Sequence, residues 1–490
     1  MTELFAGWEP ANVLSFFEQI SAIPRGSGNE AGISNFLMQF AKDHGLEAEQ
    51  DEALNVLIRK PGQNGGETAP FLALQGHMDM VCEKLSTCTH DFQTEGIELL
   101  IQDGALTANG TTLGADDGIA VAMMLAILED KELTHPPLEC LFTTGEEIGL
   151  IGASKVSPTW LRSTRLINLD SEEEGVCVVG SAGGARVDTT RAIRRHEAQG
   201  FLISITIEGL LGGHSGTDID LNHCNAILLM ARTLSNLFAD NPYVQLVDFN
   251  GGGMDNAIPR ECYATVLYRT SDSADRAIAM LEHLRNNYHD EIRPQEPDFK
   301  FHFRLQEDRQ VHAMTAADGQ ALASAILLTP NGVLSRNPQL DGAVVSSSNL
   351  GIVRTGEASC TYACMARSSV DSLEEEALNR IRLAAEAFGF TMAVSGRYPG
   401  WAYQEVSPLR DCLLSTYQSL FGKDMKVEAL HAGLETGLLV SAMDGLDAVS
   451  VGPDLFHVHT PDEKMPLDSL ARFYTLLTKV LTELSLHHGH

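Results

Sequence analysis

Residues 138–147 read LECLFTTGEE, an apolar run typical of a buried strand that leads into a glycine turn with two adjacent carboxylates. On a regular strand, neighbouring side chains point to opposite faces, whereas a turn lets Glu146 and Glu147 face different partners. The pair alone is ambiguous, because most glutamates simply lie in solvent. Its meaning depends on whether other segments of the chain end in the same way.

Other apolar segments of this kind alternate with helical patterns along the first third of the chain. Strand-like runs cover residues 55–59, 71–75 and 166–169, and apolar residues recur at helical spacing in 12–20, 29–44 and 118–128. Strands that alternate with helices predict an α/β domain with a mixed, largely parallel sheet flanked by helices. Ligands of such sheets collect beyond the carboxyl ends of the strands.

The pattern changes near the glycine-rich stretch VGSAGGAR at residues 179–186. Strand-like segments then follow at 201–208, 262–269 and 299–305, with amphipathic helices at 274–287 and 372–388. These predict an inserted α/β domain with an antiparallel sheet. The first pattern returns after Gly400, with a helix at 409–421 and strands at 427–429 and 448–451. We therefore predict a discontinuous domain at 1–186 and 401–490 and an inserted domain at 187–400, as the length of 490 residues favours.

Composition limits the partners and the compartment. The net charge of −32 argues against nucleic acid or an anionic membrane as a partner and fits a small-molecule substrate. The nine cysteines are scattered and predict reduced thiols. The opening MTELFAGWEP carries no basic leader, and the longest apolar run, 119–128, is too short to span a bilayer. We expect a cytoplasmic protein that does not bind membranes.

Candidate metal ligands follow or precede these elements at four places. They are His77 and Asp79 in FLALQGHMDM, Asp116 and Asp117 in NGTTLGADDG, Glu146 and Glu147 in LECLFTTGEE, and Asp170 in RLINLDSEEEG. Singly, each has a structural explanation, such as a helix N-cap. Together they predict a metal site, and a histidine with carboxylates suits zinc, manganese or cobalt.

Spacing separates the roles of some of these residues. His77 and Asp79 are two apart, so in an extended segment they lie on the same side, where Asp79 can accept the second N–H of the imidazole ring. Adjacent Asp116 and Asp117 cannot share one role. One can bridge two cations while the other caps the following helix.

The motifs GHMDM, LGADDG, TTGEEIG and LDSEEEG resemble, in order and surroundings, those of the M20 metallopeptidases. The resemblance extends over essentially the whole chain to the aminoacyl-histidine dipeptidases, the carnosinase-like cytosolic nonspecific branch. Its further motifs are GLLGGHSGTDI, DNAIPRE, HAGLETGLL and HTPDE. Two positions depart from the family pattern, since Asp117 stands where relatives commonly have Asn and Thr436 where they often have Cys.

The resemblance implies a site with two divalent cations, expected to be zinc, with cobalt or manganese as alternatives. Asp116 matches the bridging carboxylate, His77 and Asp170 the other ligands of one cation, and Glu147 and His459 those of the second. His457 is a rival to His459 in the same segment. Glu146 matches the general base, and Asp79 matches the residue that supports the histidine.

The resemblance also implies that the inserted domain is a lid that forms a homodimer. His214 matches the group that stabilises the carbonyl oxygen in the transition state, in its own or the partner subunit's site. Matches to substrate-binding residues are Asn256, Arg260 and Arg367 at the substrate carboxylate, and His431 and Glu435 near its free amine. Glu435 and His431 come from the returning C-terminal portion.

The expected function is hydrolysis of unblocked dipeptides, especially Xaa-His, by a metal-activated water with Glu146 as the base. Alternatives within the superfamily are a tripeptide aminopeptidase and an N-acyl amino acid deacylase. The large inserted domain favours the dipeptidase. A catalytically silent metal-binding scaffold is the alternative that is not an enzyme, and the intact set of ligands argues against it.

Overall fold

The computed structural model describes residues 3–486, which form two compact units. The first unit contains residues 3–180, Trp401–Ala429 and 434–486, and the second contains Ser181–Gly400 with Leu430–Gly433. The functional division into a catalytic domain at 1–186 and 401–490 and an inserted domain at 187–400 stays a prediction. Within the described residues, no helix is both long and apolar enough to cross a membrane.

The N-terminal part of the first unit alternates helices and strands. Its helices are α1 (Ala11–Ser21), α2 (Ala31–His44) and α3 (Ala115–Glu129). Its strands are β1 (Glu47–Gln50), β2 (Val56–Lys60), β3 (Leu72–His77), β4 (Leu99–Gln102), β5 (Ala105–Ala108), β6 (Leu138–Thr143), β7 (Arg165–Asn168) and β8 (Val176–Ser181). Strands β2, β3 and β6 are buried along their whole length, which explains why most of their residues are apolar, although β2 ends in Arg59 and Lys60 and β6 contains Glu139.

The second unit is built on an antiparallel sheet. Its helices are α4 (Ala226–Asp240), α5 (Ser271–Ile292), α6 (Ala316–Leu328) and α7 (Asp371–Ala387). Its strands are β9 (Gly183–Ala192), β10 (Arg195–Glu208), β11 (Gly213–His214), β12 (Gln245–Gly251), β13 (Ala257–Ile258), β14 (Cys262–Tyr268), β15 (Lys300–Met314), β16 (Gly332–Asn337), β17 (Ala343–Thr355), β18 (Ser359–Ser368) and β19 (Thr391–Tyr398). The main sheet has the order β15-β10-β14-β12-β17-β18-β9-β19, and β16 pairs with β17.

The returning segment completes the first unit. It adds helices α8 (Pro408–Phe421), α9 (Glu435–Ala442) and α10 (Leu467–Leu486) and strands β20 (Lys426–Leu430), β21 (Asp447–Ser450) and β22 (Lys464–Pro466). The sheet of this unit has the order β1-β2-β6-β3-β7-β21-β8-β20. Strands β6, β3, β7 and β21 are parallel to one another, while β1 pairs antiparallel with β2, β2 with β6, and β8 with β21. The predicted mixed, largely parallel sheet and the predicted antiparallel sheet are therefore confirmed.

Helix α3 lies at the centre of the first unit. Of its 15 residues, all but Glu129 are buried, so it is apolar on every side rather than amphipathic. The helix packs against α1 and β3. Its first turn carries Asp116 and Asp117. Asp116 and Asp117 have non-helical backbone angles, so the regular part of this buried helix begins after them.

Candidate active site

The parallel pairing of β3, β6 and β7 brings the ends of three strands to one edge of the sheet. His77, the last residue of β3, is paired with Thr143, the last residue of β6, and Gln75 is paired with Asn168, the last residue of β7. The segments that follow these strands carry Asp79, Glu146, Glu147 and Asp170. Side chains that are far apart in the sequence thus meet at the carboxyl edge, as the strand pattern predicts.

Asp116 lies between the two histidines of this cluster. Its Oδ1 is 3.1 Å from Nε2 of His77, and its Oδ2 is 2.9 Å from Nε2 of His459. Nε2 of His77 is also 3.5 Å from Oδ1 of Asp170, and Nε2 of His459 is 3.0 Å from Oε1 of Glu147. The result is two sets of three donor atoms that share one carboxylate.

Each of these sets is compact enough to hold a metal ion. The ligand atoms of His77, Asp116 and Asp170 lie within 4.8 Å of one another, as do those of Asp116, Glu147 and His459. A third set of the same size joins His77 to Glu146 and Glu147. His457 belongs to none of the sets found among the described residues, and its carbonyl accepts a hydrogen bond from Thr460 instead.

Asp79 connects the histidine to the glutamate turn. Its Oδ1 lies 3.4 Å from Nδ1 of His77. Its carboxylate also accepts the backbone N–H groups of Glu146, at 3.1 Å, and Glu147, at 3.4 Å, and the hydroxyl of Ser27, at 2.8 Å. Asp79 therefore faces the imidazole ring and fixes the backbone of the turn that presents the two glutamates.

The carboxylates of the cluster are crowded and poorly solvated. Burial raises the pKa of Glu146 to about 9, and the like charges of Asp170 and Glu435 add to this rise. Burial likewise raises the pKa of Asp170 to about 6 and the pKa of Glu435 to about 7. So many buried acids in one place are costly unless positive charge compensates them.

The pKa values of the two histidines are raised as well. A raised pKa favours the charged form of a histidine, whereas it favours the neutral form of an acid. Burial on its own lowers the pKa of His77, but Asp170 and Asp116 outweigh it and raise that pKa well above its ordinary value. Hydrogen bonds to Asp116 and Glu147 raise the pKa of His459 to about 11. The carboxylates thus favour positive charge at these two imidazoles, and bound cations would supply the same compensation of negative charge. The donor set of nitrogen and carboxylate oxygen fits two divalent cations.

Asp117 has a different position from its neighbour. Its Oδ2 accepts the backbone N–H of His77 at 3.2 Å, and it is in none of the candidate metal sets. The expectation that one of this pair caps the helix is wrong, because neither residue is a cap. The N-terminal amides of α3 donate to the carboxylate of Glu463 instead.

Glu435 lies in the first unit close to the acids. Its Oε2 accepts hydrogen bonds from Nε2 of Gln75 at 2.6 Å and from the hydroxyl of Thr143 at 2.5 Å. Its Oε1 is buried and has no hydrogen-bond partner among the described residues. One oxygen of Glu435 is therefore held by the strands and the other is available for a donor.

The second unit brings together His214, Arg367 and His431. The guanidinium of Arg367 is buried and donates to the hydroxyl of Tyr398 at 2.8 Å and, at 3.4 Å, to that of Ser215, the residue after His214. Nε2 of His431 is 2.7 Å from the hydroxyl of Ser347. Among the side chains that the structure describes, no carboxylate forms an ion pair with Arg367, whose hydrogen bonds go to hydroxyl groups. A buried arginine with only hydroxyl partners is suited to an anionic ligand.

Both histidines of this cluster are disposed to be neutral. Burial, and then the charge of Arg367, lowers the pKa of His214 and lowers the pKa of His431 to about 3. Nδ1 of His214 accepts the backbone N–H groups of Gly216 at 3.3 Å and Thr217 at 3.2 Å. The ring proton of neutral His214 is therefore on Nε2, where it can be donated to a ligand.

The other two predicted substrate contacts act differently in the structure. Asn256 accepts the backbone N–H of Ser215 through its own carbonyl, at 2.8 Å, and so supports the loop of His214. The exposed side chain of Arg260 donates from Nε to the carbonyl of Leu210 at 3.1 Å. The structure does not bring Arg260 into contact with Arg367 or His431.

A comparison with models of protein families matches residues 73–483 to peptidase family M20/M25/M40. This chain belongs to that family. The resemblance found in the sequence is thereby confirmed, and the chain is an enzyme, a peptide hydrolase.

Two relatives cover almost the whole M20 chain. The cytosol non-specific dipeptidase of Escherichia coli (strain K12) is 35% identical over 480 residues, which are 97% of this chain and 98% of that protein. The crystal structure of an aminoacylhistidine dipeptidase from Vibrio alginolyticus is 34% identical, with 98% of each chain covered and a TM-score of 0.92. The aminopeptidase PepT from Bacillus cereus shares the fold at 17% identity, covering 97% of this chain and 99% of that chain with a TM-score of 0.57.

Two buried groups near the candidate metal ligands of this M20 peptidase were not predicted from the sequence. Glu463 is the last residue of the HTPDE motif, so the motif contained a signal for it, although only His459 was assigned a role. Arg25 lies in the stretch IPRGSG at residues 23–28, which carries no recognisable pattern. Both contact the backbone beside Asp116.

Proposed function

We propose that this peptidase hydrolyses unblocked dipeptides, especially those of the Xaa-His type, at a site with two divalent cations, with zinc as the expected metal. The observation that carries the proposal is the pair of nitrogen and oxygen donor sets that share Asp116 beside Glu146. The names of two relatives, a non-specific dipeptidase and an aminoacylhistidine dipeptidase, support the substrate class.

In this proposal Asp116 would be a ligand shared by the two cations. His77 and Asp170 complete the ligands of one cation, and Glu147 and His459 complete those of the other. Two bound cations supply a Lewis acid for the peptide carbonyl and lower the pKa of an attacking water. Asp79, 3.4 Å from Nδ1 of His77, holds that imidazole with Nε2 directed at the carboxylates.

Glu146 is the general base. Its carboxylate accepts a proton from the attacking water and returns it to the departing amine. The raised pKa of Glu146 arises from burial and from neighbouring negative charge. Bound cations would compensate the neighbouring negative charge and so lower the pKa of Glu146. The carboxylate could then accept and release a proton near neutral pH.

The second unit supplies groups for the substrate. Arg367 binds the substrate carboxylate, and the Nε2–H of His214 stabilises the carbonyl oxygen as negative charge develops on it. Tyr398 and Ser215 hold the guanidinium from two directions, which leaves its remaining donors for a bidentate contact. His431 and Glu435 are proposed to line the pocket, and Asn256 and Arg260 to contribute more weakly.

The assembly and the compartment belong to the same proposal. Residues 187–400 are proposed as a lid and dimerisation domain of a homodimer, and the enzyme is proposed to be cytoplasmic. The formal net charge of −32 agrees with an enzyme that binds neither nucleic acid nor anionic membranes.

A substrate panel tests the function. The purified enzyme, supplied separately with zinc, cobalt and manganese, is assayed with carnosine and other Xaa-His dipeptides, a tripeptide and an N-acetyl amino acid. We expect the free Xaa-His dipeptides to give the highest kcat/KM and their C-terminal amides to react more slowly. A preference for the tripeptide or the acetylated compound would replace the dipeptidase with the corresponding alternative. A complete lack of hydrolysis would favour a silent scaffold.

A further inference from the structure

The segment 113–116, which leads into α3 and carries Asp116, is held by one buried carboxylate. Glu463 accepts the N–H groups of four consecutive residues, at 2.8 Å from Leu113, 3.0 Å from Gly114, 2.8 Å from Ala115 and 3.4 Å from Asp116. These N–H groups lie in irregular backbone, since Leu113 and Gly114 precede α3 and the ψ angle of Asp116 is 110°, and buried N–H groups outside regular structure need an acceptor. Glu463 therefore fixes the backbone from which Asp116 projects.

A buried guanidinium holds the same segment from the other side. Nη2 of Arg25 donates to the carbonyl of Gly114, and Nη1 donates to the carbonyls of Met78 and Asp79 at 3.1 Å each. The Met78–Asp79 segment directly follows His77. Arg25 thus connects the backbone beside one predicted ligand, His77, to the backbone beside another, Asp116.

The surroundings of Arg25 are shaped to admit it. A Cβ atom at Gly114 would lie 2.7 Å from Nη2 of Arg25, and one at Gly118 would lie 2.4 Å from the same atom. The φ angle of Gly114 is +69°, in the left-handed region that favours glycine. Any side chain at either position would push the guanidinium away from the peptide that it holds.

We propose that Arg25 and Glu463 are positioning residues that set Asp116 against His77, and that they thereby determine how tightly the site binds its cations. Both residues bind the backbone of Gly114: Glu463 accepts its N–H group, and Arg25 donates to its carbonyl oxygen. Neither touches the donor atoms of His77 or Asp116. This inference about Arg25 and Glu463 rests on the proposed metal site.

The first unit contains a second buried pair of charged residues, Arg59 in β2 and Glu139 in β6, which serves as a matched control. Arg59 and Glu139 are 6% and 0% exposed, compared with 2% for both Arg25 and Glu463. They form an ion pair at 3.1 Å, and Glu139 accepts the backbone N–H groups of Arg162 and Ser163. Glu139 lies near the start of β6, whereas the metal ligands follow the end of that strand. Arg59→Lys and Glu139→Gln therefore disturb a buried charged group without touching the site.

The test compares Arg25→Lys and Glu463→Gln with the two control variants. Each full-length protein is stripped of metal, its thermal unfolding midpoint is measured, and its zinc affinity and stoichiometry are determined by competition with a chromophoric chelator. Lysine cannot reach three carbonyls as a guanidinium does, and the glutamine amide cannot accept four N–H groups. We expect about 10- to 100-fold weaker zinc binding in the two site variants, as for residues that orient metal ligands. We expect wild-type affinity in both controls.

Several outcomes would overturn the inference. If the wild-type enzyme binds two zinc ions and the site variants bind them equally tightly, Arg25 and Glu463 have no positioning role. If the controls lose as much affinity as the site variants, the effect is general destabilisation. If Arg25→Lys does not fold, Glu463→Gln, which keeps the size of the side chain, decides the question. A wild-type enzyme that binds no zinc, cobalt or manganese would overturn the proposed function, and this inference with it.

Discussion

The pKa values of the histidines are shifted in opposite directions in the two clusters. In the first unit, His77 and His459 are surrounded by carboxylates that raise their pKa values. In the second unit, burial and Arg367 lower the pKa values of His214 and His431. The first cluster has an excess of negative charge and the second has an arginine without a carboxylate partner among the described residues. We propose that each cluster is complementary to a ligand of opposite charge, cations in the first and the substrate carboxylate in the second.

The largest effect is expected from removing a ligand in the acidic cluster. Glu147→Ala takes away one of the three donors of the set formed with Asp116 and His459. We expect loss of about one metal ion per subunit and of turnover with it, because the bridging arrangement needs both cations. Elemental analysis of the dialysed protein measures this. Full metal occupancy would show that Glu147 is not a ligand.

The next largest effect is expected at Glu146, which lies among the acids but belongs to neither of the two donor sets that share Asp116. Glu146→Gln keeps the shape of the side chain but cannot accept a proton. We expect kcat to fall about 10³-fold, within the range for general base catalysis, while both metals remain bound. Steady-state kinetics and metal analysis on the same sample separate the two properties. Near wild-type turnover would remove the base role from Glu146.

A smaller effect is expected in the second unit, where no metal is proposed. His214→Ala removes the Nε2–H donor, and loss of one such donor typically lowers kcat about 10²-fold. Metal content should not change, which sharpens the contrast with Glu147→Ala. His214→Gln, which retains a side-chain N–H, is the matched variant and should recover part of the loss. Wild-type kinetics in His214→Ala would exclude the residue from the site.

The smallest effect is expected from Arg367→Lys, which keeps the charge but loses the planar fork. We expect kcat/KM for a free dipeptide to fall about tenfold, since hydrogen bonds to charged groups contribute about 1.5–3 kcal/mol. The corresponding dipeptide amide should lose much less, because it has no carboxylate to bind. An equal loss for both substrates would contradict carboxylate recognition by Arg367.

The strand ends and the ligands beyond them could be predicted because the signal is local. Buried parallel strands have continuous apolar sequences, and each of β3, β6 and β7 is followed within a few residues by a conspicuous carboxylate or histidine. Strand lengths in the second unit were harder to predict. The pattern at 299–305 covers only the first part of β15, which continues to Met314. Many residues of its outer part are exposed, so the apolar signal ends before the pairing with β10 does.

Groups that bind backbone leave no comparable trace in the sequence. Arg25 acts through the carbonyls of Met78, Asp79 and Gly114, and the identity of those side chains does not reveal the contact. Asp117 shows the same limit, since its partner is the amide of His77. Resemblance of motifs identifies the residues that we propose to bind metal and substrate. It does not identify the residues that place the chain around them.

The contact between Asp116 and His459 spans 343 residues of sequence. Translation at about 5–20 residues per second needs roughly 20 to 70 s to synthesise that interval. From the synthesis of Asp170 onward the nascent chain carries His77, Asp116, Glu146, Glu147 and Asp170, but it still lacks His459 and Glu463. The donor set of His77, Asp116 and Asp170 is complete once residue 170 is made, whereas that of Asp116, Glu147 and His459 is completed only in the last tenth of the chain. We therefore expect the second cation of the proposed site to be bound late in the biogenesis of the enzyme.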